Sequence, residues 1–260
     1  MSAQYDGGQC PLAVPPEPHV PVQHVPAQHV PVPQRPWQPQ LDPDDRLRML
    51  FARLGVDLVI DVGANLGQFV HGIRRFYHGD VVSFEPNPAI HAALAPSVAA
   101  DPRWHCSALA LGRADGQATL HVCPSHDFSS LLEPNAYCVR RFGHEAAAER
   151  RVKVPVRRLD HALASMGVAW QGRRVFLKMD TQGFDLDVFA GVGACLDAVV
   201  GMLSELSLIP LYAGMPHWLQ GLAVYESSGF AVAELYPVTR DGDAVIEYDC
   251  LLVRTHGVPS

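Results

Sequence analysis

The 260-residue sequence lacks several features that mark particular classes of protein. It has no apolar run near the roughly 20 residues that a membrane-spanning helix needs, and its amino terminus lacks the basic and continuous apolar segments of a secretion signal. Its formal net charge is −7, which argues against a broad attraction to nucleic acid or to an anionic membrane. These absences predict a cytoplasmic protein with no membrane span and no nucleic-acid partner.

Paired cysteines and a complete set of metal ligands are also lacking. The six cysteines form no Cys-x-x-Cys pair, which in a chain of this length favours reduced, buried thiols. His121, Cys123, His126 and Asp127 bring possible metal ligands together, but no second cluster completes a site. We therefore predict no bound metal.

Proline is abundant in only one part of the chain. Of the 22 prolines, 11 fall between Pro11 and Pro43, and residues 19–33 repeat a His-Val-Pro motif every five residues. This part has few charges and no apolar periodicity, so it cannot bury enough surface to offset the entropy of ordering it. We predict a disordered extension over residues 1–43 and one domain over residues 44–260. A proline-recognising partner or a weak histidine metal site remains the alternative use of the repeat.

From residue 44 onward, apolar periodicity predicts strands alternating with helices. The predicted strands are Asp57–Val62, Val81–Phe84, Trp104–Ala110, Ala118–Val122, Val152–Val156, Val175–Met179, Ala198–Ser204, Phe230–Tyr236 and Ile246–Val253. The predicted helices are Asp44–Leu54, Leu66–Tyr77, Ala89–Ala99, Leu159–Met166, Leu186–Leu196 and His217–Ser228. This alternation indicates an α/β fold with a doubly wound, mostly parallel sheet, whose ligands bind at the carboxyl ends of the strands.

The end of the first predicted strand carries a glycine-rich turn. Gly63 and Gly67 are spaced Gly-x-x-x-Gly, which differs from the Gly-x-Gly-x-x-Gly cradle of a pyrophosphate. Asp61 suits a ligand that carries a cation, and Glu85, 24 positions later at the end of the second strand, suits ribose hydroxyls. An adenosine with a positively charged tail meets both conditions, and S-adenosylmethionine is such a molecule. A nucleotide-dependent oxidoreductase is the alternative, which the glycine spacing disfavours.

At these residues the sequence resembles the FkbM-type methyltransferases, over about three quarters of the chain. The resemblance is carried by the segments 59–67, 84–88, 129–131, 158–160 and 176–189 and by Glu205. It implies a Rossmann-like class I methyltransferase fold and methyl transfer from S-adenosylmethionine to a hydroxyl of a sugar, glycolipid or polyketide-type acceptor. The expected cofactor-binding residues are Asp61, Gly63, Ala64, Asn65, Gly67, Glu85, Pro86, Asn87, Ala108 and Leu109. Gln182 departs from the family pattern, because many members have glutamate there.

Three residues of this pattern are candidates for catalysis. Asp180, just after the strand Val175–Met179, is placed to orient or deprotonate the acceptor hydroxyl, or else to bind the cofactor or cap the next helix. Lys178 shares a strand face with Asp180 and either pairs with an acid or contacts the acceptor. Glu205 either completes an acid–base pair with Asp180 or forms a salt bridge with Lys178.

The acceptor side is expected in an insertion over residues 118–158. Ser129 and Ser130 are its candidate substrate contacts, and His217 is a third, as a possible general base or simply the start of a helix. A basic stretch follows the serines, and it is either a lid for anionic groups or a solvated face balanced by Glu145 and Glu149. It comprises Arg140, Arg141, Arg150, Arg151, Lys153, Arg157 and Arg158. A non-catalytic cofactor-binding scaffold is the further alternative.

Overall fold

A computed structural model describes residues 42–255 of the chain. The predicted extension lies outside the described residues, apart from Asp42 and Pro43. Those two residues begin helix α1 (Pro43–Leu54), because the Asp42 side chain accepts a hydrogen bond of 3.0 Å from the backbone N–H of Asp44 and proline suits the first helical turn. Helix α1 buries Leu50 and Phe51 against the domain core. The described structure therefore begins with a capped helix that packs on the core.

The described residues form ten strands and seven α-helices. The strands are β1 (Leu58–Val62), β2 (Asp80–Phe84), β3 (Trp104–Ser107), β4 (Ala110–Leu111), β5 (Gly116–Val122), β6 (Arg150–Arg157), β7 (Val175–Met179), β8 (Val199–Ser207), β9 (Phe230–Asp241) and β10 (Ala244–Arg254). The remaining helices are α2 (Gln68–Ile73), α3 (Pro88–Ala99), α4 (Ala136–Phe142), α5 (Leu159–Ser165), α6 (Asp185–Ala190) and α7 (Trp218–Ser227). Over residues 42–255 no helix has the length and apolar character needed to cross a bilayer.

Seven strands form the main sheet in the order β3-β2-β1-β7-β8-β10-β9. The five strands from β3 to β8 are parallel, and β10 inserts antiparallel between β8 and β9. Every residue of β1 and β7 is buried, because apolar clusters cover both faces of the sheet. The predicted doubly wound, mostly parallel α/β fold is confirmed. Its strand order reverses direction between β1 and β7, which is where such sheets bind ligands.

A second, three-stranded sheet of order β4-β6-β5 corrects one predicted strand. The segment Trp104–Ala110 is not continuous, because the carbonyl of Ser107 accepts from the N–H of Glu85 and the chain then leaves the main sheet. Ala110 pairs instead with Val156 of β6, where it is buried beside Leu120.

One helix prediction is also corrected, and one helix was not predicted. The predicted helix Leu186–Leu196 ends at Ala190, and a 3₁₀ turn follows over Gly193–Ala198. Gly191 is the C-cap of α6, and only glycine fits there, since a Cβ atom would lie 1.9 Å from the carbonyl oxygen of Gly112. Helix α4 was not predicted, and it lies within the expected insertion of residues 118–158.

Candidate active site

A cavity of about 290 Å³ opens at the carboxyl ends of the central strands. The loop after β1, the end of β2, the segment 126–131, the loop after β7 and the strands β8 and β10 all contribute to its walls. Its lining residues include Gly63, Asn65, Glu85, Asp180 and Glu205. The fold thus brings together strand-end residues that are far apart in the sequence, at the position where the strand order reverses.

The loop after β1 is held against the ends of two other strands. Gly63 has a φ of +78°, and a Cβ atom there would lie 2.0 Å from the carbonyl oxygen of Asp180, so only glycine fits. Asn65 also has a positive φ, and its N–H donates to Oε2 of Glu85 at 2.8 Å. Oε1 of Glu85 accepts from the N–H of Asn87 at 2.8 Å. Glu85 therefore orders the loops after β1 and β2 around the cavity.

Glu85 is buried at the β2 side of the cavity. Burial raises the pKa of its carboxyl, while the N–H groups of Asn87 and Asn65 oppose that rise. Each carboxylate oxygen has more than one lone pair, so both can still accept from a ligand. Phe84, Pro86, Ile90 and Leu109 add apolar surface to the same part of the cavity. This half of the site presents acceptors for hydroxyl groups beside a surface suited to a flat ring.

A second group of carboxylates lines the β7–β8–β10 side. Asp180 and Glu205 both accept from the side-chain amide of Gln182, at 2.9 and 3.0 Å respectively. Glu247 also lines the cavity, and it accepts from the hydroxyl of Ser207 at 3.2 Å. Asp249 stands directly opposite Glu205 in the pairing of β10 with β8. Burial raises the pKa of Glu205 well above its usual range, and repulsion from Asp180 and the neighbouring acids adds to this.

A comparison with protein families decides what kind of domain surrounds this cavity. The model of the methyltransferase FkbM domain matches residues 61–229, which is more than half of the chain. The chain belongs to the FkbM methyltransferase family. Members of this family use S-adenosylmethionine as their cofactor. The resemblance that the sequence motifs carry is thereby confirmed, and the family assignment decides against a nucleotide-dependent oxidoreductase.

Solved structures of other methyltransferases are similar to this chain at low identity. Magnesium protoporphyrin IX methyltransferase from Synechocystis PCC 6803, with bound S-adenosylmethionine, has 9% identity and a TM-score of 0.45, covering 81% of this chain and 77% of its own. A putative methyltransferase from Thermobifida fusca has 10% identity and a TM-score of 0.44, covering 81% and 78%. The O-methyltransferase NcsB1 of neocarzinostatin biosynthesis has 10% identity and a TM-score of 0.38, covering 81% and 56%. No curated protein matches the sequence.

The residues of this FkbM domain fit S-adenosylmethionine. Among the described residues, Oδ1 of Asn65 is a buried cavity-lining acceptor with no hydrogen-bond partner, as a ligand ammonium group requires. Glu85 offers acceptors for ribose hydroxyls, and Gly63 lines the same cavity, where the lack of a Cβ atom lets its loop pack against the backbone of Asp180. The charge and the shape of this half of the cavity therefore agree with the cofactor of the family.

The predicted cofactor residues divide into two groups. Gly63, Asn65, Glu85, Pro86, Asn87 and Leu109 line the cavity. Asp61, Ala64, Gly67 and Ala108 do not. Gly67 serves packing, since a Cβ atom there would lie 2.6 Å from the ring of Trp104 and 2.8 Å from Leu94. Ala64 is buried in the core, and Ala108 is exposed outside the cavity.

Asp61 lies beneath the cavity instead of facing it. Its side chain is fully buried, accepts from the hydroxyl of Ser83 at 3.0 Å and lies 3.3 Å from Nζ of Lys178. Lys178 also donates to the carbonyl of Gly63 at 3.0 Å and lies 3.4 Å from Oδ2 of Asp180. Burial alone would lower the pKa of Lys178, but the carboxylates of Asp180 and Asp61 outweigh burial and raise it. The cation beside Asp61 is thus supplied by the protein, and Lys178 pairs with acids instead of lining the cavity.

The acceptor-side predictions also separate. Ser129 and Ser130 line the cavity, and the Ser130 hydroxyl donates to the carbonyl of Gln182 at 2.8 Å. His217 lies outside the cavity, where its Nδ1 accepts from the N–H of Leu219 and caps helix α7. His217 therefore does not line this cavity, and the structure places it at the start of a helix, the plainer of its two predicted positions.

The basic stretch does not reach the cavity. No lysine or arginine lines it among the described residues. Arg141 pairs with Asp241, Arg151 with Glu133 and Arg157 with Asp115, all at the surface. These arginines thus contact neighbouring acids other than the expected Glu145 and Glu149, and a lid that binds anions has no support in this arrangement.

Two residues that organise the β7–β8–β10 side of the cavity were not identified from the sequence. Asp185 is buried, and its carboxylate accepts from the N–H and the hydroxyl of Thr181, from the hydroxyl of Ser204 and from the N–H of Glu205. Tyr212, also buried, donates to Oε1 of Gln182 at 2.9 Å. The position of Asp185 at the start of a predicted helix was a usable signal for a loop-organising acid. Tyr212 lies in an irregular segment after β8 and gave no signal.

Proposed function

We propose that the protein transfers a methyl group from S-adenosylmethionine to a hydroxyl oxygen of a sugar, glycolipid or polyketide-type acceptor. The observation that carries the proposal is the pair of carboxylates, Asp180 and Glu205, joined by one amide on the side of the cavity opposite Glu85. A carboxylate at this place can orient an acceptor hydroxyl and take its proton.

The mechanism follows from the positions of the side chains. When bound, S-adenosylmethionine supplies a methyl group on a positively charged sulfur, and Asn65, Glu85 and the loop at Gly63 would hold it. Asp180 is the base: its side chain lines the cavity and is 41% exposed, and Nζ of Lys178 lies 3.4 Å from its Oδ2. Asp180 accepts the hydroxyl proton as the oxygen attacks. The loop after β7 is held by its hydrogen bonds and would align the acceptor oxygen with the methyl carbon and the sulfur. Displacement at carbon requires the attacking atom in line with the leaving sulfur.

The charge of the cavity supports a neutral acceptor. Asp180, Glu205 and Glu247 line its catalytic side, and no lysine or arginine lines it among the described residues. An acceptor with a carboxylate or phosphate beside its hydroxyl would meet repulsion there. A small-molecule or glycolipid hydroxyl is therefore proposed as the acceptor, in preference to a nucleic acid.

The test is methyl transfer by the purified full-length chain. Labelled S-adenosylmethionine is supplied with a panel of neutral sugars, glycolipids and polyketide alcohols, and both S-adenosylhomocysteine and methylated product are measured. Asp180→Asn is expected to lower kcat by roughly 10²- to 10⁴-fold, the usual contribution of a general base. Asp243→Asn, in an exposed turn, is the matched control.

Two results would contradict the proposal. If the cofactor binds but no hydroxyl acceptor is methylated, the non-catalytic scaffold gains support. If transfer occurs and Asp180→Asn retains full activity, the assignment of the base is wrong.

A further inference from the structure

Gln182 has an unusual backbone conformation within the loop that follows β7. Its φ is +55°, in the left-handed region that residues other than glycine seldom adopt, and Gly183 follows with a φ of +86°. The loop is held on both sides, because Asp185 accepts from Thr181 and the Ser130 hydroxyl donates to the Gln182 carbonyl. Strain that the surroundings enforce in this way points to a role for the side chain that it places.

The side-chain amide of Gln182 uses both of its N–H donors on carboxylates. Nε2 donates to Oδ1 of Asp180 at 2.9 Å and to Oε2 of Glu205 at 3.0 Å, while Oε1 accepts from the Tyr212 hydroxyl at 2.9 Å. Only the NH₂ end of an amide can donate to two carboxylates, so this chemistry fixes its orientation. The Tyr212 hydroxyl also lies 3.2 Å from the carbonyl of Phe128, but its single proton suits the shorter contact.

The amide separates two acids that have different surroundings. Asp180 faces the cation of Lys178, whereas Glu205 faces three acids from two other elements: Asp185 of α6 and Glu247 and Asp249 of β10. No cationic side chain contacts the Glu205 carboxylate among the described residues. The two acids share one neutral donor but have unequal surroundings: burial and the acids around it raise the pKa of Glu205, whereas only Asp180 of the pair lies beside an ammonium group.

We propose that Gln182 is a positioning residue for the methyl transfer: its amide bridges Asp180 and Glu205, orients Asp180 toward the acceptor hydroxyl and keeps the two acids together without a second cation. This inference rests on the proposed function for its catalytic part. The bridge itself is a property of the unliganded chain, so it can be tested without an acceptor.

The first test is thermal unfolding of Gln182→Glu between pH 5 and pH 8. The variant replaces the donor group with a third carboxyl between two acids, so the pKa of the introduced group is raised in the folded state. A raised acid pKa leaves stability intact at low pH and removes it as the pH rises through that pKa. The melting temperature is expected to match the wild type near pH 5 and to fall roughly 3 to 8 °C below it by pH 8.

Gln117→Glu is the matched control, because Gln117 is exposed on β5 outside the cavity. The melting temperature of this variant should follow that of the wild type at every pH. If the melting temperature of Gln182→Glu lies below that of the wild type by the same amount at every pH, the proposed bridge between Asp180 and Glu205 is wrong.

The second test is the pH profile of transfer. The ratio of kcat for Gln182→Glu to that of the wild type is expected to rise at least about tenfold from pH 8 to pH 5.5, because the protonated carboxyl regains one donor. Gln182→Met, with no donor, should be slow at every pH and show no such recovery. A flat ratio for Gln182→Glu would overturn the positioning role. A wild-type chain that methylates no hydroxyl would overturn the proposed function, and the unfolding profile would then decide the bridge alone.

Discussion

Nζ of Lys178 lies 3.3 Å from Oδ1 of Asp61, and the two side chains are 8% and 0% exposed. The acid at the end of β1 is therefore neutralised from within the domain, by a lysine of the neighbouring strand β7. The same ammonium group donates to the carbonyl of Gly63, so it links the cofactor loop to Asp180. One buried cation supports both halves of the cavity.

This arrangement predicts the effect of removing the lysine. Lys178→Met leaves Asp61 buried without its cation and is expected to lower the free energy of unfolding by about 3 to 5 kcal/mol. Urea unfolding at pH 7 measures the change. Lys153 is exposed on β6 and is the other lysine of the chain, so Lys153→Met is the matched control and should change stability little. Equal stability of the two variants would contradict the buried ion pair.

Glu85 is expected to control cofactor affinity. Glu85→Ala removes the acceptor for ribose hydroxyls and leaves the N–H groups of Asn65 and Asn87 unpaired, so binding of S-adenosylhomocysteine should weaken by about 1 to 3 kcal/mol. Isothermal titration calorimetry measures the affinity, with the exposed Glu145→Ala as the control. Unchanged affinity in Glu85→Ala would remove Glu85 from the cofactor site.

Asp249 is expected to make stability depend on pH. Burial, with repulsion from Asp180, raises its pKa to about 7, above the ordinary value of an aspartate. The folded state therefore favours the protonated form, and its stability falls as the pH rises toward and through 7. Asp249→Asn should gain about 1 to 3 kcal/mol over the wild type at pH 8 and only about a quarter of that at pH 4.5, which lies just above the ordinary pKa of an aspartate. Unfolding at both pH values tests this, and a gain independent of pH would contradict it.

The amino-terminal extension is expected to be dispensable for cofactor binding. Deleting residues 1–40 keeps Asp42, which caps α1, and should leave the affinity for S-adenosylhomocysteine unchanged. Deleting residues 1–56 instead removes α1 with Leu50, Phe51 and Leu54. That deletion should cost about 4 kcal/mol or more of stability, since each buried side chain of this kind contributes about 1.5 to 3 kcal/mol. A loss of binding in the shorter deletion would show that the extension takes part.

The predicted residues that line the cavity were found from local patterns. Gly63, Asn65 and Glu85 sit at the ends of strands that apolar runs identify, and parallel strands bring such ends to one edge of a sheet. Asp61 was expected at the cavity but lies beneath it, beside Lys178. The neighbouring strand β7 supplies that lysine, and no pattern within β1 reveals it. Alternation along β7 put Lys178 and Asp180 on one face but did not give their partners.

The features that the sequence did not predict depend on pairings between distant segments. Glu247 reaches the cavity because β10 inserts antiparallel between β8 and β9, and no local pattern states that order. Tyr212 contacts Gln182 from an irregular segment 30 positions away. These contacts arise from how elements pack, which periodicity along one segment does not encode.

The segment from His126 to Ser130 touches both halves of the cavity. Oδ1 of Asp127 accepts from the side-chain amide of Asn65 at 2.7 Å, and the Ser130 hydroxyl holds the backbone of Gln182. A cofactor that binds the Asn65 side chain and shifts it therefore perturbs the same segment that supports the loop after β7. Cofactor and acceptor then share a coupling free energy. If the bound cofactor changes the affinity for the acceptor by some factor, the bound acceptor changes the affinity for the cofactor by the same factor.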